Sequence, residues 1–566
     1  MVKMTGAKAL VEALKKQKAD VIFGIPGGAL IPIYDVLYNS DIKHVLMRHE
    51  QCAAHAADGY ARASGLVGVC MATSGPGATN LVTGIANAYM DSSPIVAFTG
   101  QVNTYSANTS YMIGKDAFQE ADIIGITTPI TKFNFQPRTA AEIPRTVRQA
   151  FYIASTGRPG PVVVDLPKDT QTATADMDFG DNIEFRGYRP NYEPHPLQIE
   201  KAANLLANAE KPVIIAGGGV ISSGASSELI ALAELLVAPV ATTFMGKGCM
   251  PEDHPLSLGM LGMHGTIAAN KLVPKADVLL AVGMRFSDRT TGDVTKFCPG
   301  AEIIHIDIDS SEIGKNIVPH VPIVADAKRA LKALYNRLVK SYRKKERSIW
   351  MRRIQELKKQ QEDLVRSVKG LSPPRLLIEL RKIIPRDAII TTEVGQNQMW
   401  AALYMKTYKP RTFISSGGLG TMGFGFPAAI GAKVACPDVP VIDIAGDGSF
   451  IMTSQDLAST VVGGIPVIVL VLNNSMLGMV AQWQRLFYNR RYSAVDLGAP
   501  PDFVKLAEAY GAQGIRVGSL GELLKAVKTA MKSDVTTVID VPIHPEENVF
   551  PMVPPGGEVS NLLTGD

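Results

Sequence analysis

The chain has 566 residues, of which 46% are hydrophobic and 19% charged, and its net charge is +4. At roughly 150 residues per domain this length predicts about three or four domains, and the balance of 57 basic against 53 acidic residues excludes the electrostatic footprint of a nucleic-acid-binding protein. A charged fraction below the roughly 25% usual in soluble domains predicts a large core or surface hidden between subunits.

The first twenty residues, MVKMTGAKALVEALKKQKAD, alternate apolar residues and lysines at helical spacing. They predict an amphipathic helix rather than a signal peptide. The longest apolar run, IPVIVLVL at 465–472, is far shorter than the roughly 18 residues that span a bilayer. The five cysteines are spaced too widely and irregularly for a zinc site or a disulfide framework, which favours a reducing, cytoplasmic location.

Short β-branched runs, each followed by glycine and a helical stretch, recur along the chain as in parallel strands with crossover helices. The first set comprises ADVIFGI, KHVLM, GVCMAT, SPIVAFTG and GPVVVDLP. The second comprises KPVIIAGGG, APVATTF, ADVLLAVG and AEIIHIDID, and the third DAIITTEVG, VPVIDIAGDG, IPVIVLVLNN and VTTVIDVPI. Each set can fill a doubly wound parallel sheet, so the predicted fold is α/β with three such domains.

Two stretches of unusual composition separate these sets. Met177–Pro196 is polar and interrupted by prolines, which predicts a linker. Residues 339–369 are highly charged at helical spacing, and their interleaved acids favour a solvated helix over a nucleic-acid-binding segment. The predicted domains are therefore 1–185, 195–335 and 370–566, with a charged helical linker at 336–369.

The outer sets share a weak repeat. SGPGATNLVTGIANAYMDSSPIVAFTG and AGDGSFIMTSQDLASTVVGGIPVIVLVLNN both run from a glycine-rich loop through a helix to a proline and a buried strand. Chance similarity between two βα units is an open alternative. The hypothesis is that two related outer domains flank a distinct middle one.

The strongest local motif is AGDGSF, followed after the next predicted strand by Asn473-Asn474. Gly446 and Gly448 allow the backbone to approach a phosphate, and Ser449 opens a helix whose N–H groups favour an anion. Asp447 and Asn474 each end a strand, and their oxygens are the hard ligands that Mg²⁺ or Ca²⁺ requires. Alone, each half is a common turn or loop. Together, at this spacing, they are typical of thiamin diphosphate (ThDP) enzymes.

Over essentially the whole chain the sequence resembles the acetohydroxyacid synthase (acetolactate synthase) catalytic subunits, a ThDP-dependent family. The matching stretches are FGIPGGALIPIYD, RHEQCAAHAADGYARASG, TSGPGATN, DAFQEADI, GRPGPVVVDLPKD, LGMLGMHG, GMRFSDRTTG, GLGTMGFGFPAAIGA, GDGSF and LNNSMLGMVAQWQRLFY. The resemblance implies three α/β domains of the ThDP decarboxylase/carboligase type. The first would bind the aminopyrimidine of ThDP, the middle one FAD, and the third the diphosphate and Mg²⁺.

The resemblance implies that Glu50, in RHEQ, bonds the pyrimidine N1′ and favours the imino tautomer that takes the C2 proton. Without it, Glu50 would be an ordinary strand-end acid paired with Arg48 or Arg62. Met422 matches the bulky residue beneath the cofactor, and Gln119 is the third implied catalytic residue. The implied ThDP contacts are Pro26, Glu50, Thr73, Pro76, Asn80, Gly395, Gln396, Gly420, Met422, Gly446, Asp447, Gly448, Ser449, Asn474, Met476, Gly478 and Met479, of which Asp447, Asn474 and Met476 would hold the metal.

By the same resemblance, Arg289 in RFSDR grips the carboxylate of a second 2-oxo acid, and Trp483 shapes its pocket. The implied substrate residues are Gly27, Phe118, Lys168, Met263, Arg289, Val480, Trp483 and Phe487. PVIIAGGGV lacks a full G-x-G-x-x-G pattern and the acid that should follow, which disfavours NAD. The resemblance assigns FAD instead to Arg158, Gly217, Gly218, Gly219, Thr243, Met260, His264, Gly283, Arg285, Asp307, Ile308 and Asp326.

Some positions depart from the family pattern. Asn397 stands where the family commonly has His, Ser287 where it has Asp, and Lys115 where it has Thr. Asn103–Tyr111 looks like an insertion. Lys115 and the insertion flank Phe118 and Gln119, so a difference from the family in substrate preference or loop order is expected there.

The implied activity is that of acetolactate synthase, a transferase. Two pyruvates react through hydroxyethyl-ThDP to 2-acetolactate and CO₂, or pyruvate and 2-oxobutyrate to 2-aceto-2-hydroxybutyrate, at the entry to branched-chain amino acid biosynthesis. The main alternative is an oxidoreductase of the pyruvate oxidase type. Glyoxylate carboligase is disfavoured by the presence of Glu50, and an inactive binding protein by Glu50, Asp447 and Asn474.

The expected assembly is a homodimer or homotetramer with active sites between chains. A separate regulatory small subunit is a further expectation from the family, and nucleic-acid or membrane partners are not expected.

Overall fold

The computed structural model describes residues 2–105, 113–181, 183, 185–340, 342–343, 345–366, 370–499 and 501–565. Three six-stranded sheets, each entirely parallel and flanked by helices, confirm the predicted α/β class with three doubly wound domains. Most of the insertion expected at Asn103–Tyr111 lies outside the described residues. None of the helices described is both long and apolar enough to cross a membrane.

The N-terminal domain begins with strand β1 (Val2–Thr5), which pairs antiparallel with β8 (Thr174–Met177). The predicted first helix is therefore wrong for its first residues, because the sheet pairing takes them, and helix α1 starts at Gly6 after an N-cap at Thr5. The main sheet comprises β2 (Val21–Gly24), β3 (Lys43–Leu46), β4 (Gly68–Ala72), β5 (Ile95–Gln101), β6 (Phe133–Phe135) and β7 (Val162–Pro167). The helices are α1 (Gly6–Lys16), α2 (Ile31–Leu37), α3 (Glu50–Ser64), α4 (Pro76–Asn80), α5 (Val82–Met90), α6 (Ile123–Thr127), α7 (Ile143–Ser155) and α8 (Lys168–Thr172).

The middle domain has the strand order 3-2-1-4-5-6 of a dinucleotide-binding sheet. Its strands are β9 (Pro212–Ala216), β10 (Val240–Thr242), β11 (Ser257–Met260), β12 (Val278–Val282), β13 (Glu302–Asp307) and β14 (Val321–Val324). Its helices are α9 (Pro196–Asn208), α10 (Gly218–Ser222), α11 (Ser226–Leu236), α12 (Ile267–Leu272), α13 (Asp288–Thr291) and α14 (Ala327–Leu338). Helix α15 (Ser348–Arg366) follows, within the stretch predicted as a charged helical linker.

The C-terminal sheet comprises β15 (Ile389–Thr392), β16 (Phe413–Ser415), β17 (Val441–Gly446), β18 (Ile468–Asn473), β19 (Gln513–Arg516) and β20 (Thr537–Pro542). Its helices are α16 (Pro373–Ile383), α17 (Gln396–Tyr404), α18 (Gly425–Ala435), α19 (Asp447–Phe450), α20 (Leu457–Gly463), α21 (Gly478–Phe487), α22 (Phe503–Ala509) and α23 (Leu520–Ala530). The order β16-β15-β17-β18-β20-β19 repeats the order β3-β2-β4-β5-β7-β6 of the first domain. The predicted relationship between the outer domains therefore agrees with their topology.

The two outer domains share one hydrophobic core, which crosses from α3 to α18. Glycines let these helices approach: a methyl group on Gly59 would lie 2.2 Å from the Ala428 carbonyl oxygen, and one on Gly431 would lie 1.8 Å from that of Ala56. Larger side chains would force the helices apart. The outer domains of one chain are thus held together through α3 and α18, the helices that follow β3 and β16.

A buried ion pair helps to join the middle and C-terminal domains. Lys247 Nζ lies 2.5 and 2.6 Å from the two Glu252 carboxylate oxygens, and Glu252 also accepts the Thr407 backbone N–H at 2.7 Å. Burial lowers the pKa of Lys247, while the Glu252 charge opposes that shift. Each of the two buried charges is therefore stabilised by the opposite charge of its partner.

We expect Glu252→Gln to lower the free energy of unfolding by about 3 kcal/mol, because it leaves the Lys247 ammonium buried without a counter-charge. A thermal melt should record a lower midpoint for the variant. The matched control is Glu379→Gln, which breaks the exposed pair with Lys382 (2.6 Å) and should change stability by no more than about 0.5 kcal/mol. Equal melting points for the two variants would contradict the assignment.

Candidate active site

The carboxyl ends of β17 and β18 bring together the predicted metal ligands. Asp447, the first residue of α19, accepts the Ser475 backbone N–H at 2.7 Å. The Asn474 side-chain oxygen accepts the N–H of Met476 at 3.1 Å. Burial raises the pKa of Asp447 to about 6, as expected for a carboxylate removed from water. One carboxylate, one amide oxygen and the nearby Met476 carbonyl form a donor set that suits Mg²⁺.

That set contains a single acid, so it differs from a cluster of acidic, histidine or cysteine ligands. Across the described ranges, no group of three or more such side chains is placed to hold a metal. A site of this composition depends on further oxygens from a diphosphate and water, as Mg²⁺ sites commonly do.

A tight polar cradle adjoins this set at the start of α21. A methyl group on Gly478 would lie 2.2 Å from Gln396 Oε1 and 2.6 Å from Asn474 Nδ2. Gln396 Oε1 accepts a hydrogen bond from Asn474 at 3.3 Å, and Gln396 Nε2 donates to Gln482 at 2.8 Å and to the Glu547 carbonyl at 2.7 Å. The structure therefore places Gln396, Asn474 and Gly478 together, as the resemblance implies. Gln482 is a neighbour that the sequence reasoning missed.

The remaining predicted ThDP residues of this domain surround the ends of β15, β16 and β17. Gly395 has φ +146° and Gly420 φ +73°, conformations that favour glycine. Met422 follows Gly420 in the loop before α18, and Gly446–Ser449 covers the turn from β17 into α19. Asn397, which replaces the usual His, donates through Nδ2 to the Ile444 carbonyl at 2.8 Å. This contact fixes Asn397 against the strand that leads to Gly446.

Glu50 is the first residue of α3, and its Oε2 accepts a hydrogen bond from Asn80 at 2.9 Å. The alternative pairing with Arg62 is wrong, because that guanidinium bonds Asp58 at 2.7 Å and Asp91 at 2.8 Å. No ion pair to Glu50 occurs in the part of the chain that the structure describes. Its carboxylate is thus half-buried without a counter-charge among these residues.

The other N-terminal site residues lie around Glu50. A methyl group on Gly77, between Pro76 and Asn80, would lie 3.3 Å from Glu50 Oε1 and 2.8 Å from Thr73 Cγ2. A methyl group on Gly27, which follows Pro26, would lie 2.4 Å from Thr73 Cβ. The loops after β2 and β4 therefore close on each other beside Glu50.

The predicted substrate residues of the N-terminal domain are open to solvent in the single chain. Phe118 is 89% exposed, and Lys168 is exposed at the start of α8. Gln119 has φ +57°, and its carbonyl oxygen would lie 2.8 Å from a methyl group on Gly75. Lys115, a predicted departure, lies in the same exposed loop.

The two halves of the predicted ThDP site show no polar contact with each other within the part of the chain that the structure describes. Among the residues that the structure describes, no hydrogen bond or ion pair joins Glu50 or Asn80 to Asp447 or Asn474. The start of α3 instead contacts the C-terminal domain through Asp456, which accepts the Arg48 backbone N–H at 2.8 Å.

In the middle domain, the predicted FAD glycines Gly217 and Gly283 lie at the carboxyl ends of β9 and β12, where the strand order reverses. A methyl group on Gly217 would lie 2.1 Å from the Gly283 carbonyl oxygen, so the two loops touch. His264 is buried with Nε2 unpaired, and burial lowers its pKa to about 4. Burial raises the pKa of Asp307, at the end of β13, to about 7. An orphaned ring nitrogen and a glycine-lined crevice at this edge fit a dinucleotide.

Other predicted FAD residues already have protein partners. Arg158 bonds Asp309 at 3.2 Å and Glu312 at 2.7 Å. Asp326 caps α14 by accepting the Arg329 N–H. Thr243 Oγ1 accepts the N–H of Gly246 at 3.2 Å. Met260 ends β11, Gly218 and Gly219 open α10, and Arg285 and Ile308 lie in the loops after β12 and β13.

The predicted acceptor residues come together between the middle and C-terminal domains. The Arg289 guanidinium lies 6.0 Å from the centre of the Trp483 ring, and its Nη1 lies 3.6 Å from Met263 Sδ. An open hollow of about 560 Å³ along α21 is lined by Met479, Val480, Trp483, Gln484, Tyr488 and Arg491. Phe487 ends the same helix. Ser287 is one of the predicted departures from the family pattern. Its hydroxyl hydrogen-bonds the Thr290 hydroxyl at 3.3 Å, and no hydrogen bond from it to Arg289 occurs among the described residues.

Glu393 is a second residue that the sequence reasoning missed. It follows β15 directly, is fully buried, and accepts three hydrogen bonds from the loops that carry Met422 and Ser449. An acid directly after a predicted strand, in TTEVG, was the available signal.

Comparison with known proteins gives a consistent result. Thiamine pyrophosphate enzyme profiles match the chain at 4–126 (N-terminal TPP binding domain), 199–334 (central domain) and 393–541 (C-terminal TPP binding domain). The chain is 54% identical to a "probable acetolactate synthase large subunit" of Methanocaldococcus jannaschii, over 99% of this chain and 95% of that protein. It is 51% identical to a protein of the same description from Methanococcus aeolicus, with the same coverage. It is 49% identical to the "acetolactate synthase large subunit" of Corynebacterium glutamicum, over 99% of this chain and 90% of that protein.

Proposed function

The chain belongs to the thiamine pyrophosphate enzyme family and, within it, to the acetolactate synthase large subunits, and on that premise we propose that it joins two 2-oxo acids. It condenses two pyruvates to 2-acetolactate with release of one CO₂, or pyruvate with 2-oxobutyrate to 2-aceto-2-hydroxybutyrate. The observation that carries the proposal is the Arg289 guanidinium, held beside Trp483 and the hollow along α21. A planar cation there suits the carboxylate of an acceptor acid.

When bound, ThDP would supply a carbon acid whose conjugate base can add to a 2-oxo group, and a ring that can accept the electron pair left by departing CO₂. Asp447, Asn474 and the Met476 carbonyl would hold Mg²⁺, and Gln396 and Gly446–Ser449 would lie along the diphosphate. Glu50 would hold a proton at the pyrimidine ring nitrogen through its carboxylate, which lies half-buried and free of an ion pair.

The acceptor residues explain why joining is favoured over release of an aldehyde. Arg289 would fix the acceptor carboxylate, while Trp483 and Val480 form an apolar wall of the hollow beside it. An acceptor held next to the nucleophile reacts with it before a proton from bulk water can do so. The preference between pyruvate and 2-oxobutyrate as acceptor then depends on the apolar residues that contact the side chain of the acceptor.

The middle domain would hold FAD in a structural role, since carboligation has no net redox change. Its strand order and the crevice between Gly217 and Gly283 support this.

A homodimer with active sites between chains is supported by the exposure of Phe118 and Asn80. The designation of the relatives as large subunits supports a separate small subunit as partner. Five unpaired cysteines support a reducing, cytoplasmic location.

The test is product analysis after incubation of the protein with pyruvate, ThDP, Mg²⁺ and FAD. We expect one CO₂ for every two pyruvates consumed and, after acid treatment, acetoin from 2-acetolactate. The same protein without ThDP serves as the control and should consume no pyruvate. Acetate accompanied by peroxide or reduced quinone would overturn the proposal in favour of an oxidase.

A further inference from the structure

Glu393 is a fully buried acid for which the proposed reaction has no role. Its Oε2 accepts the Gly423 backbone N–H at 2.7 Å and the Ser449 hydroxyl at 3.1 Å. Its Oε1 accepts the Phe426 N–H at 3.0 Å, and its own N–H donates to the Ile444 carbonyl at 3.1 Å. One side chain therefore ties the end of β15 to two separate loops.

Those two loops carry proposed ThDP contacts. The loop held through Gly423 and Phe426 carries Gly420 and Met422, and Ser449 belongs to the turn from β17 into α19 that carries the proposed diphosphate contacts. The first loop would lie at the rings of the cofactor and the second at its diphosphate end. Their separation must match the length of one bound molecule.

A second buried acid, Asp443 on β17, lies beside Glu393. Asp443 pairs in register with Thr391 of β15 and accepts the hydroxyl of that residue at 3.0 Å, while its other oxygen is buried without a partner. A methyl group on Gly425 would lie 2.4 Å from Asp443 Oδ1 and 2.5 Å from the Glu393 backbone nitrogen. The loop before α18 is therefore pressed directly against both acids.

The hydrogen bonds distinguish the two acids. Burial raises the pKa of each, and the like charge of Glu393 raises that of Asp443 further. Three donors stabilise the Glu393 carboxylate, whereas one donor faces Asp443. The hydrogen-bond donors therefore favour the ionised form at Glu393 more than at Asp443.

We infer that Glu393 is a positioning residue that sets the distance between the Met422 loop and Ser449, and so preforms the site for ThDP. The inference rests on the proposed function, because it assigns these loops to ThDP. Preformed loops lower the ordering cost of binding. A carboxylate that accepts three hydrogen bonds cannot be replaced by an amide without loss, because the amide NH₂ group would face a donor where the carboxylate had an acceptor oxygen.

The test measures ThDP binding to the full-length apoprotein by calorimetry in Mg²⁺, together with the apoprotein melting temperature and the kinetics at saturating ThDP. For Glu393→Gln we expect the ThDP Kd to rise about tenfold or more, with the pyruvate KM at saturating ThDP near that of the parent. The apoprotein melting temperature should fall, because the amide leaves a buried donor unpaired. The matched control is Asp443→Asn, the corresponding change in the neighbouring acid, for which we expect a Kd within about threefold of the parent. Glu393→Asp keeps the charge and should bind ThDP more tightly than Glu393→Gln.

A Glu393→Gln protein that binds ThDP like the parent would overturn the inference. So would an equal loss in Asp443→Asn. If Glu393→Gln does not fold, the comparison passes to Glu393→Asp, and a ThDP Kd no weaker than that of Asp443→Asn would overturn it. A parent protein that fails to bind ThDP would instead refute the proposed function, so the two failures are distinguishable.

Discussion

Replacing Glu50 by glutamine should lower the turnover of pyruvate by about a thousandfold while ThDP still binds. The carboxylate lies at the start of α3, half-buried, with Asn80 as its hydrogen-bond partner and no salt bridge among the described residues. Glutamine keeps the size and the hydrogen-bonding oxygen of the side chain but cannot exchange a proton with a ring nitrogen. The proton-transfer role is therefore removed with little change in shape.

The measurement is kcat with pyruvate at saturating ThDP, alongside the ThDP Kd from calorimetry. The matched control is Glu12→Gln on α1, the same substitution on another half-buried helical position of the same domain, which should keep the parental kcat. A Glu50→Gln protein with unimpaired turnover would refute the role of this carboxylate. A variant that lost turnover only because ThDP no longer bound would assign Glu50 to binding instead.

Strands in the sheet interiors could be predicted from the sequence, but most edge strands could not. Interior strands such as β4 and β18 are buried on both faces and appear as continuous apolar runs. The edge strands β6, β14 and β19 are short and partly exposed, and β11 and β16 are equally short. Their composition does not distinguish them from loops, because only pairing with a neighbouring strand defines them.

The proximity of several proposed site residues could be predicted because they follow neighbouring parallel strands. Asp447, Asn474 and Gly478 meet at the ends of neighbouring parallel strands, so their proximity follows from strand order alone. Glu393 and Gln482 act through contacts with segments distant in sequence. The sequence shows Glu393 at the end of a predicted strand, but it does not identify the partners of either residue, since the packing of the folded domain creates those contacts.

The proposed acceptor pocket could not be predicted from local sequence patterns. Arg289 and Trp483 are 194 residues apart by their numbers in the sequence, and their contact depends on how the middle domain sits against the C-terminal one. Neither composition nor periodicity specifies that placement. The family resemblance implies both residues because members of one family share the whole fold, including the placement of the domains.

The second large effect is expected for Asp447→Asn, which should abolish Mg²⁺-dependent binding of ThDP and with it the activity. Asp447 is the one charged group among the three proposed metal ligands, the others being the Asn474 amide oxygen and the Met476 carbonyl. Replacing it by an amide removes the protein's negative charge from the cation and should weaken Mg²⁺ binding at least about a hundredfold. The amide oxygen can still accept the Ser475 N–H, now at 2.7 Å, so the loop should keep its fold.

Calorimetric titration with Mg²⁺ in the presence of ThDP, and the melting temperature with and without both, measure this effect. The matched control is Asp443→Asn, which makes the same substitution on β17 four residues earlier and should retain Mg²⁺-dependent binding. Since Asp443 is not one of the proposed metal ligands, its amide replacement removes no charge from the cation, whereas the change at Asp447 does. Mg²⁺-dependent ThDP binding that survives in Asp447→Asn would therefore place the cation on other oxygens and remove Asp447 from the metal site.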